Sequence, residues 1–348
     1  MVDAAAPAPV WGDTPAVGPV AGIAISRDPA IFWGPSAFEY PVGPASYIAD
    51  AIGHRRAYFL ISPSWHREDP ASVAADRDFV RTAQAKYPEH RFLFLVSTRK
   101  ELQNYRDVGL PAAICLYTAF VDETVFDIDA TATKTFDAIY NAAIAPYKRH
   151  ELCQAIPSLG LLYYRHEYFL EHEAEHVKRI HSLLPHATWI NELDGPYRQL
   201  EVREIPAWLN RARAALCLSP YEGAMRAAAE YLFCGLPIVS TRNVGGRDRL
   251  ADPRYWIEAE PEPDAIAAAV RELAARNVDP QLVRRTTVEK LSGDRARLVK
   301  LIATIFAEEG VAFPRDADWM QLFRRGAWPF KTAATILSER TVADTIAA

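Results

Sequence analysis

Two carboxylates flanking a glycine-opened helix start are the residues of this chain whose types and spacing could work together on a diol beside a bound diphosphate. Glu222 and Glu230 lie in Leu218-Ser219-Pro220-Tyr221-Glu222-Gly223-Ala224-Met225-Arg226-Ala227-Ala228-Ala229-Glu230, followed by Cys234-Gly235-Leu236-Pro237-Ile238-Val239-Ser240. The pattern reads as a strand, Ala215–Ser219, a turn, and a helix opened by Gly223 whose small side chains let it pack close to a sheet. The free amides of Gly223, Ala224 and Met225 at that helix start, with the positive end of its dipole, suit a diphosphate. Glu222 precedes the helix and Glu230 lies about two turns along it, so both can face one cleft. A carboxylate accepts two hydrogen bonds from a cis-diol, which is what a ribose or a hexose presents. Taken alone, two glutamates at this spacing fit a solvated helix face equally well.

The elements that must position them alternate along the chain. Strands Val20–Ser26 and Ala57–Ser62 flank helix Ala45–Ile52. Helix Val73–Lys86, strand Arg91–Ser97, helix Arg99–Val108 and strand Ala113–Thr118 follow. Alternation of this kind implies a largely parallel sheet. Asp122–Thr133 is polar and without period, and reads as a linker. A second series runs through strand Phe136–Tyr140, helix Tyr147–Ala155, strand Leu159–Tyr164, helix His166–Leu184 and strand Ala187–Asn191. It continues with helix Ile205–Ala214, strand Ala215–Ser219, helix Gly223–Cys234, strand Pro237–Ser240 and helix Pro263–Arg276. Helices from Gln281 and from Asp294 to Glu309 come last. The expected class is α/β with two Rossmann-like, doubly wound lobes, which bind ligands at the carboxyl ends of their strands. The Ala/Pro-rich segment 1–19 is expected to be a flexible tail, 20–128 the first lobe, 134–310 the second, and 311–348 a segment packing back toward the first.

Composition narrows the function classes. At 348 residues and 50% hydrophobic, the chain can bury two cores. A formal net charge of -5 argues against nucleic acid as a partner, because phosphate-backbone binding needs a concentrated basic surface. Cys115, Cys153, Cys217 and Cys234 show no CxxC spacing and sit in apolar runs, so they read as buried thiols in a reducing compartment. No apolar stretch approaches the roughly 20 residues that span a bilayer, and the N-terminus lacks the pattern of a signal peptide. The expectation is a soluble cytoplasmic protein. Residues 319–331 are aromatic and basic; they read either as a peripheral contact with the inner membrane face or, preferred, as a C-terminal helix packed on the first lobe.

Other motifs compete. His172-Glu173-Ala174-Glu175-His176 spells H-E-x-x-H, which on a helix would chelate zinc through His172 and His176 with Glu173 as base, Glu192 offering a third ligand. The same helix carries Glu167, Glu171, Lys178 and Arg179, so that face is expected to be solvated and the metalloprotease remains the remote alternative. Asp127-Ile128-Asp129 and Asp316-Ala317-Asp318 imitate a metal-binding D-x-D but fall in linker-like sequence.

The E-x7-E arrangement Glu222…Glu230, with Gly235-Leu236-Pro237-Ile238-Val239-Ser240 after it and Gly245-Gly246 beyond, resembles the retaining glycosyltransferases of family 4 and their GT-B relatives. Tyr40-Pro41-Val42-Gly43-Pro44-Ala45 and Gly53-His54 are similar to that family's N-terminal glycine loop and "GH" turn. Val96-Ser97-Thr98-Arg99-Lys100-Glu101…Gly109 and Phe120-Val121-Asp122-Glu123-Thr124-Val125-Phe126 are similar to two further segments, and Lys148-Arg149 falls where the family places its diphosphate-binding basic pair. The resemblance implies a GT-B fold and transfer of a sugar from a UDP- or GDP-sugar to a glycan, lipid-linked or small-molecule acceptor, with retention and no metal or other cofactor. It implies catalytic roles for Glu222, Lys148 and Arg149, ribose binding by Glu230, and a donor-holding set completed by Gly223, Ala224, Met225, Ser219, Asn191 and Gly43. The chain departs from the family where Pro44 replaces a glycine, where the usual basic residue near Asn141 is missing, and where the first lobe is reduced between Ser62 and Phe92, with His66 standing in for a lost histidine. Those departures keep a second function in view, a nucleotide-sugar-binding partner without transferase activity.

Overall fold

The computed structural model describes residues 20–165, 170–223, 225–315, 317–323, 330–338 and 341. The tail expected over 1–19 lies outside them. The described residues up to Tyr117, with those from Arg295 onward, form one compact unit, and Thr118–Asp294 form another.

The first unit opens with β1 (Val20–Ala21), β2 (Ile23–Arg27) and β3 (Ala30–Ser36), then α1 (Ala45–Ile52), β4 (Ala57–Pro63), α2 (Pro70–Lys86), β5 (His90–Val96), α3 (Arg99–Asp107) and β6 (Ala112–Ile114). Its sheet runs β2-β3-β4-β5-β6, antiparallel between β2 and β3 and parallel elsewhere. β3 is a correction to the expected series, which had no strand between Ser26 and Ala45. Gly34-Pro35 interrupts the apolar run of β3, yet the glycine is required: a Cβ there would lie 2.9 Å from the Ala21 carbonyl oxygen. Stacked Phe32, Phe59 and Phe92 fill one face, with centroids 5.8 and 5.4 Å apart. Asp69 caps α2 through the amides of Ala71 and Ser72, and Thr98 with Glu101 forms a capping box on α3.

The second unit holds β7 (Phe136–Ala143), β8 (Leu159–Tyr164), α4 (Leu170–Leu183), β9 (Thr188–Trp189), α5 (Ile205–Leu209), β10 (Ala212–Cys217), α6 (Arg226–Phe233), β11 (Ile238–Ser240), β12 (Trp256–Glu258) and α7 (Pro263–Arg276). Its sheet is parallel in the order β12-β11-β10-β7-β8-β9. The helix expected over Tyr147–Ala155 is two 3-10 turns, Pro146–Lys148 and His150–Cys153, because Arg149 between them is left-handed at φ 52°. The strand expected to reach Asn191 ends at Trp189, and β12 was not foreseen. The polar segment 122–133 is no loose linker. Arg284 donates to the carbonyls of Glu123 at 2.7 Å and Phe126 at 2.6 Å, and the Asp129 amide donates to Asn210 Oδ1 at 2.9 Å.

One helix, α8 (Pro280–Glu308), stands where two were expected, and residues return to the first unit from Arg295, ahead of the expected 311. α9 (Trp319–Phe323), β13 (Phe330–Lys331) and α10 (Ala333–Ser338) follow, β13 pairing antiparallel with β1. Phe323 is buried and meets the Trp33 ring edge-on at 6.1 Å, so the first turns of the aromatic, basic segment are covered by protein; residues 324–329 lie outside the described ones. All four cysteines are buried. Among the described residues no helix is long and apolar enough to cross a membrane.

Candidate functional site

β7 and β10 are neighbours in the second sheet, but β7 leads on to β8 and β9 on one side while β10 leads to β11 and β12 on the other. That divergence is a topological switch point, and the crevice at the carboxyl ends of the two strands is where such sheets take ligands. Lys148 follows β7 there, and Ser219 to Glu222 follow β10.

Lys148 is 4% exposed and its ammonium donates to the Glu222 carboxylate, itself 6% exposed. Ser219 Oγ donates to Glu222 Oε1 at 2.5 Å. Behind them Arg247, fully buried, donates through Nη1 to Ser219 Oγ at 3.2 Å and through Nη2 to the carbonyls of Ser219 at 3.2 Å and Thr241 at 2.8 Å. Glu222 Oε1 thus accepts from two buried donors, Lys148 and Ser219, and Arg247 holds Ser219 in turn. Its backbone is fastened as well: the Glu222 amide donates to Val244 O at 3.0 Å, and the Val244 amide donates to Pro220 O at 2.9 Å.

Glu230, on α6, is buried and accepts a hydrogen bond from Asn141 Nδ2 at 3.2 Å. Burial holds its carboxyl above the ordinary range, against the opposing pull of Arg226 and Asn141. Tyr164, at the end of β8, ties the two acids into one neighbourhood. Its phenol is pushed up to about 12 by burial first, then by the negative charges of both Glu222 and Glu230. Tyr147 also feels Glu222, stacks on Tyr221 at 5.9 Å, and lies under the Lys148 ammonium at 4.9 Å. Lys148 and Glu222 are therefore bonded to each other at this strand end, and Tyr164, 39% exposed, lies within electrostatic reach of both acids; the sequence reading had not singled out these tyrosines. Arg247 was missed too. Strand ends are the signal that would have found Tyr164, since Leu159–Tyr164 was an expected strand.

Other expected site residues lie elsewhere or are occupied. α6 begins at Arg226, not Gly223, because Met225 has φ -43° and ψ 107°, outside the helical region, and the Gly223 carbonyl accepts from the Gly246 amide at 3.2 Å. The helix's first amides are accordingly not those of Gly223 and Met225; Ala224 lies outside the described residues. Asn191 has both ends of its amide in use, Oδ1 accepting from the Tyr163 amide and Nδ2 donating to Arg198 O, each at 2.8 Å, so it braces the loop instead of facing a ligand. Gly43 belongs to the first unit, and its amide donates to Tyr40 O at 2.9 Å within a tight turn at φ 55°, which leaves no donor for a phosphate. Arg149, left-handed at φ 52°, lines a cavity of about 390 Å³ together with Pro220, Thr241, Arg242, Asn243, Val244, Glu260 and Pro261.

In the H-E-x-x-H segment the expected solvated face is not uniform. Glu173 is buried, and burial holds the His176 imidazole below its ordinary range. The His172 side chain lies outside the described residues. Glu192 is engaged by the Tyr163 hydroxyl and by His181 Nε2 at 3.3 Å. Among the described residues no group of three or more His, Cys, Asp or Glu side chains is arranged to hold a metal ion.

His150, beside Arg149, gives a testable stability effect. Its ring packs on Tyr140 at 4.9 Å, neither nitrogen has a hydrogen-bond partner, and burial lowers it to about 3. The unfolded chain binds a proton below about pH 6.5 that the folded chain refuses, so stability falls as pH drops from there toward 3. His150→Phe is expected to be at least as stable at pH 7 and to recover roughly 2–4 kcal/mol of the acid loss by pH 4. Urea titrations at the two pH values check this; an unchanged acid slope would remove His150 as its source.

The family model for glycosyl transferases group 1 matches residues 175–276, a stretch from α4 to α7 that contains both Glu222 and Glu230. No curated protein matches the sequence. Among solved structures, S. aureus TarM in complex with Fondaparinux, alpha-GlcNAc-glycerol and UDP is similar at a TM-score of 0.52 and 16% identity, over 75% of this chain and 53% of that one. Anabaena HepE in complex with UDP and glucose gives 0.51 and 12%, over 71% and 72%. An α,α-trehalose-phosphate synthase (UDP-forming) from Burkholderia vietnamiensis gives 0.51 and 11%, over 81% and 74%. At these identities the likeness is one of fold. Residues 175–276, in the second unit, thus match the glycosyl transferases group 1 model, and the fold of the chain is similar to that of these solved glycosyltransferases.

Proposed function

We propose that the chain moves a sugar from a UDP- or GDP-sugar to an acceptor hydroxyl, with retention of configuration and without a metal ion, and that the second unit holds the donor. The observation that carries this reading is the convergence of Lys148, Glu222 and Glu230 at the switch point of a parallel sheet. The UDP held by HepE and TarM supports a nucleotide in that position.

On this reading the arriving diphosphate takes the Lys148 ammonium from Glu222. Cleavage of the glycosidic bond leaves one more negative charge on the diphosphate, and a desolvated ammonium already in place stabilises that charge without reorganisation. Glu222, kept in position by Ser219 and Arg247, then accepts hydrogen bonds from sugar hydroxyls. Glu230 accepts from the ribose diol, and the exposed face of Tyr164 borders the nucleoside. The departing phosphate oxygen takes the proton of the acceptor hydroxyl on the face it leaves, so that retention needs no protein base. Lys148 supplies the charge that a divalent ion would otherwise bring. The acceptor is a glycan, a lipid-linked sugar or a small molecule.

Glu230→Gln separates binding from structure. Because the folded carboxyl is raised, ionising it costs stability as pH climbs from the unfolded carboxylate range through the folded value. The amide removes that cost, so the variant is expected to be at least as stable at pH 7 and to bind nucleotide about tenfold more weakly, having lost a charge-assisted bond to the diol. Glu222→Gln is expected to lower turnover on the order of 10²-fold with a much smaller change in nucleotide Kd. Calorimetric titration with nucleotide and single-turnover transfer read the two effects. Wild-type nucleotide affinity and turnover in both variants would end this assignment.

A further inference from the structure

The cavity that Arg149 lines does not have Lys148, Glu222 or Glu230 in its walls. Its walls come from the segments after β10, β11 and β12, namely Pro220, Thr241 to Val244, and Glu260 with Pro261. The Glu230, Asn141 and Tyr164 cluster lies on the opposite side of Glu222, toward β7 and β8. A nucleotide sugar is a linear molecule: nucleoside, diphosphate, sugar, then the acceptor. With the nucleoside on the β7–β8 side and the diphosphate at Lys148, what reaches the β10–β12 side is a sugar ring, either the donor's own or the acceptor's.

Of the charged groups lining this cavity, Arg242 and Glu260 are exposed and Arg149 is half-buried. Among the described residues, neither the Arg149 nor the Arg242 guanidinium has a hydrogen-bond or ion-pair partner, and the Glu260 carboxylate has none. Asn243 Oδ1 is buried without a partner, while its Nδ2 is held by Asp248 Oδ1 at 2.5 Å. Arg149 is also held in the left-handed region at φ 52°, a strained conformation for a side-chain-bearing residue. Two guanidinium groups in one concavity call for an anion, since each offers a planar fork of donors that matches a carboxylate or phosphate. An orphan amide oxygen and a carboxylate beside them call for hydroxyl donors.

We propose that this cavity is a subsite for an anionic sugar ring, one bearing a carboxylate or a phosphate, with Arg149 and Arg242 on the anion and Asn243 and Glu260 on ring hydroxyls. The assignment rests on the glycosyltransferase reading for its geometry. It names a substrate class that the Lys148 pocket alone does not. The anion has two sources, the transferred sugar of the donor or a charged acceptor.

The test is calorimetric titration of the full chain at low salt with matched pairs of ligands. UDP-glucose against UDP-glucuronate, with GDP-mannose against its uronate counterpart, probes the donor. Glucose against glucose 6-phosphate, each with saturating UDP and again with GDP, probes the acceptor. At least one anionic member is expected to bind about tenfold or more tightly than its neutral partner, and Arg242→Gln and Arg149→Gln are each expected to abolish most of that preference. A preference in the first set assigns the anion to the donor, and one in the second to the acceptor. No preference in either set, or a preference that survives in both variants, overturns the proposal. Arginine-dependent binding of glucose 6-phosphate with no binding of UDP or GDP would leave the cavity standing and remove the nucleotide-sugar reading instead.

Discussion

Lys148→Met is expected to abolish turnover by about 10³-fold or more and to lower the melting temperature of the second unit by roughly 6–20 °C. The two effects have separate origins. Lys148 and Glu222 are both nearly solvent-free and bonded to each other. Taking away the ammonium leaves a carboxylate with a serine hydroxyl for company, and an uncompensated buried charge costs about 3–5 kcal/mol. The Lys148 carbonyl, which accepts from Tyr140 Oη at 2.7 Å, is backbone and survives the substitution. Adding Glu222→Met removes the stranded charge, so the double variant is expected to recover most of the lost stability, to within about 1–2 kcal/mol. It is not expected to recover turnover, because the charge that receives the departing diphosphate is still missing. Thermal melts and single-turnover assays on the wild type, both single variants and the double variant form a complete cycle. Transfer at the wild-type rate by Lys148→Met would show that the ion pair is only a structural tie.

The acids stood out because strand, turn and helix leave a local signature, and the ends of parallel strands are where such chains bind; Lys148 stood out only through the family resemblance. Arg247 was not legible. In Arg247-Asp248-Arg249 it looks like any solvated charged run, and it is buried where two carbonyls and a hydroxyl accept from its two Nη groups. β3 was hidden for a related reason. Gly34-Pro35 reads as a breaker locally, while the close approach of Ala21 that makes the glycine necessary is a long-range fact. The helix at Gly223 was placed three residues early since an Ala-rich run says little about where it starts, and here the start is set by the Gly223–Gly246 hydrogen bond. Lys148 and Arg149 were taken as one basic pair. Between them the chain turns left-handed, which no pattern of apolar spacing reports: Lys148 is bonded to Glu222, while Arg149 lines the neighbouring cavity. Local order thus carried the doubly wound fold, and contacts remote in sequence decided which polar groups are used.

That distinction can be tested where it is sharpest, at Gly245. This residue has φ 122°, and a Cβ added to it would sit 2.2 Å from the Glu222 carbonyl oxygen and 3.1 Å from that of Gly223. Both neighbours are backbone, so no side-chain rotation relieves the clash, and one of the two strapped loops must move. Val244, next in the chain, binds the Glu222 amide and is itself bound to Pro220 O, so displacement passes straight to the carboxylate that Lys148 and Ser219 hold. Gly245→Ala is expected to lose about 2–4 kcal/mol of stability, from backbone strain and overpacking together, and about 10²-fold or more in turnover, the effect of misplacing a catalytic group by an ångström. Gly195→Ala is the matched control. It lies in the same unit at φ 130°, and a Cβ there meets nothing within 4 Å. It carries the same kind of backbone strain without the clash, so it should lose stability by about 1–3 kcal/mol and leave turnover of the folded protein close to wild type. Equal losses of turnover in the two variants would mean that strain alone, and not the packing of Gly245 against Glu222, accounts for the result.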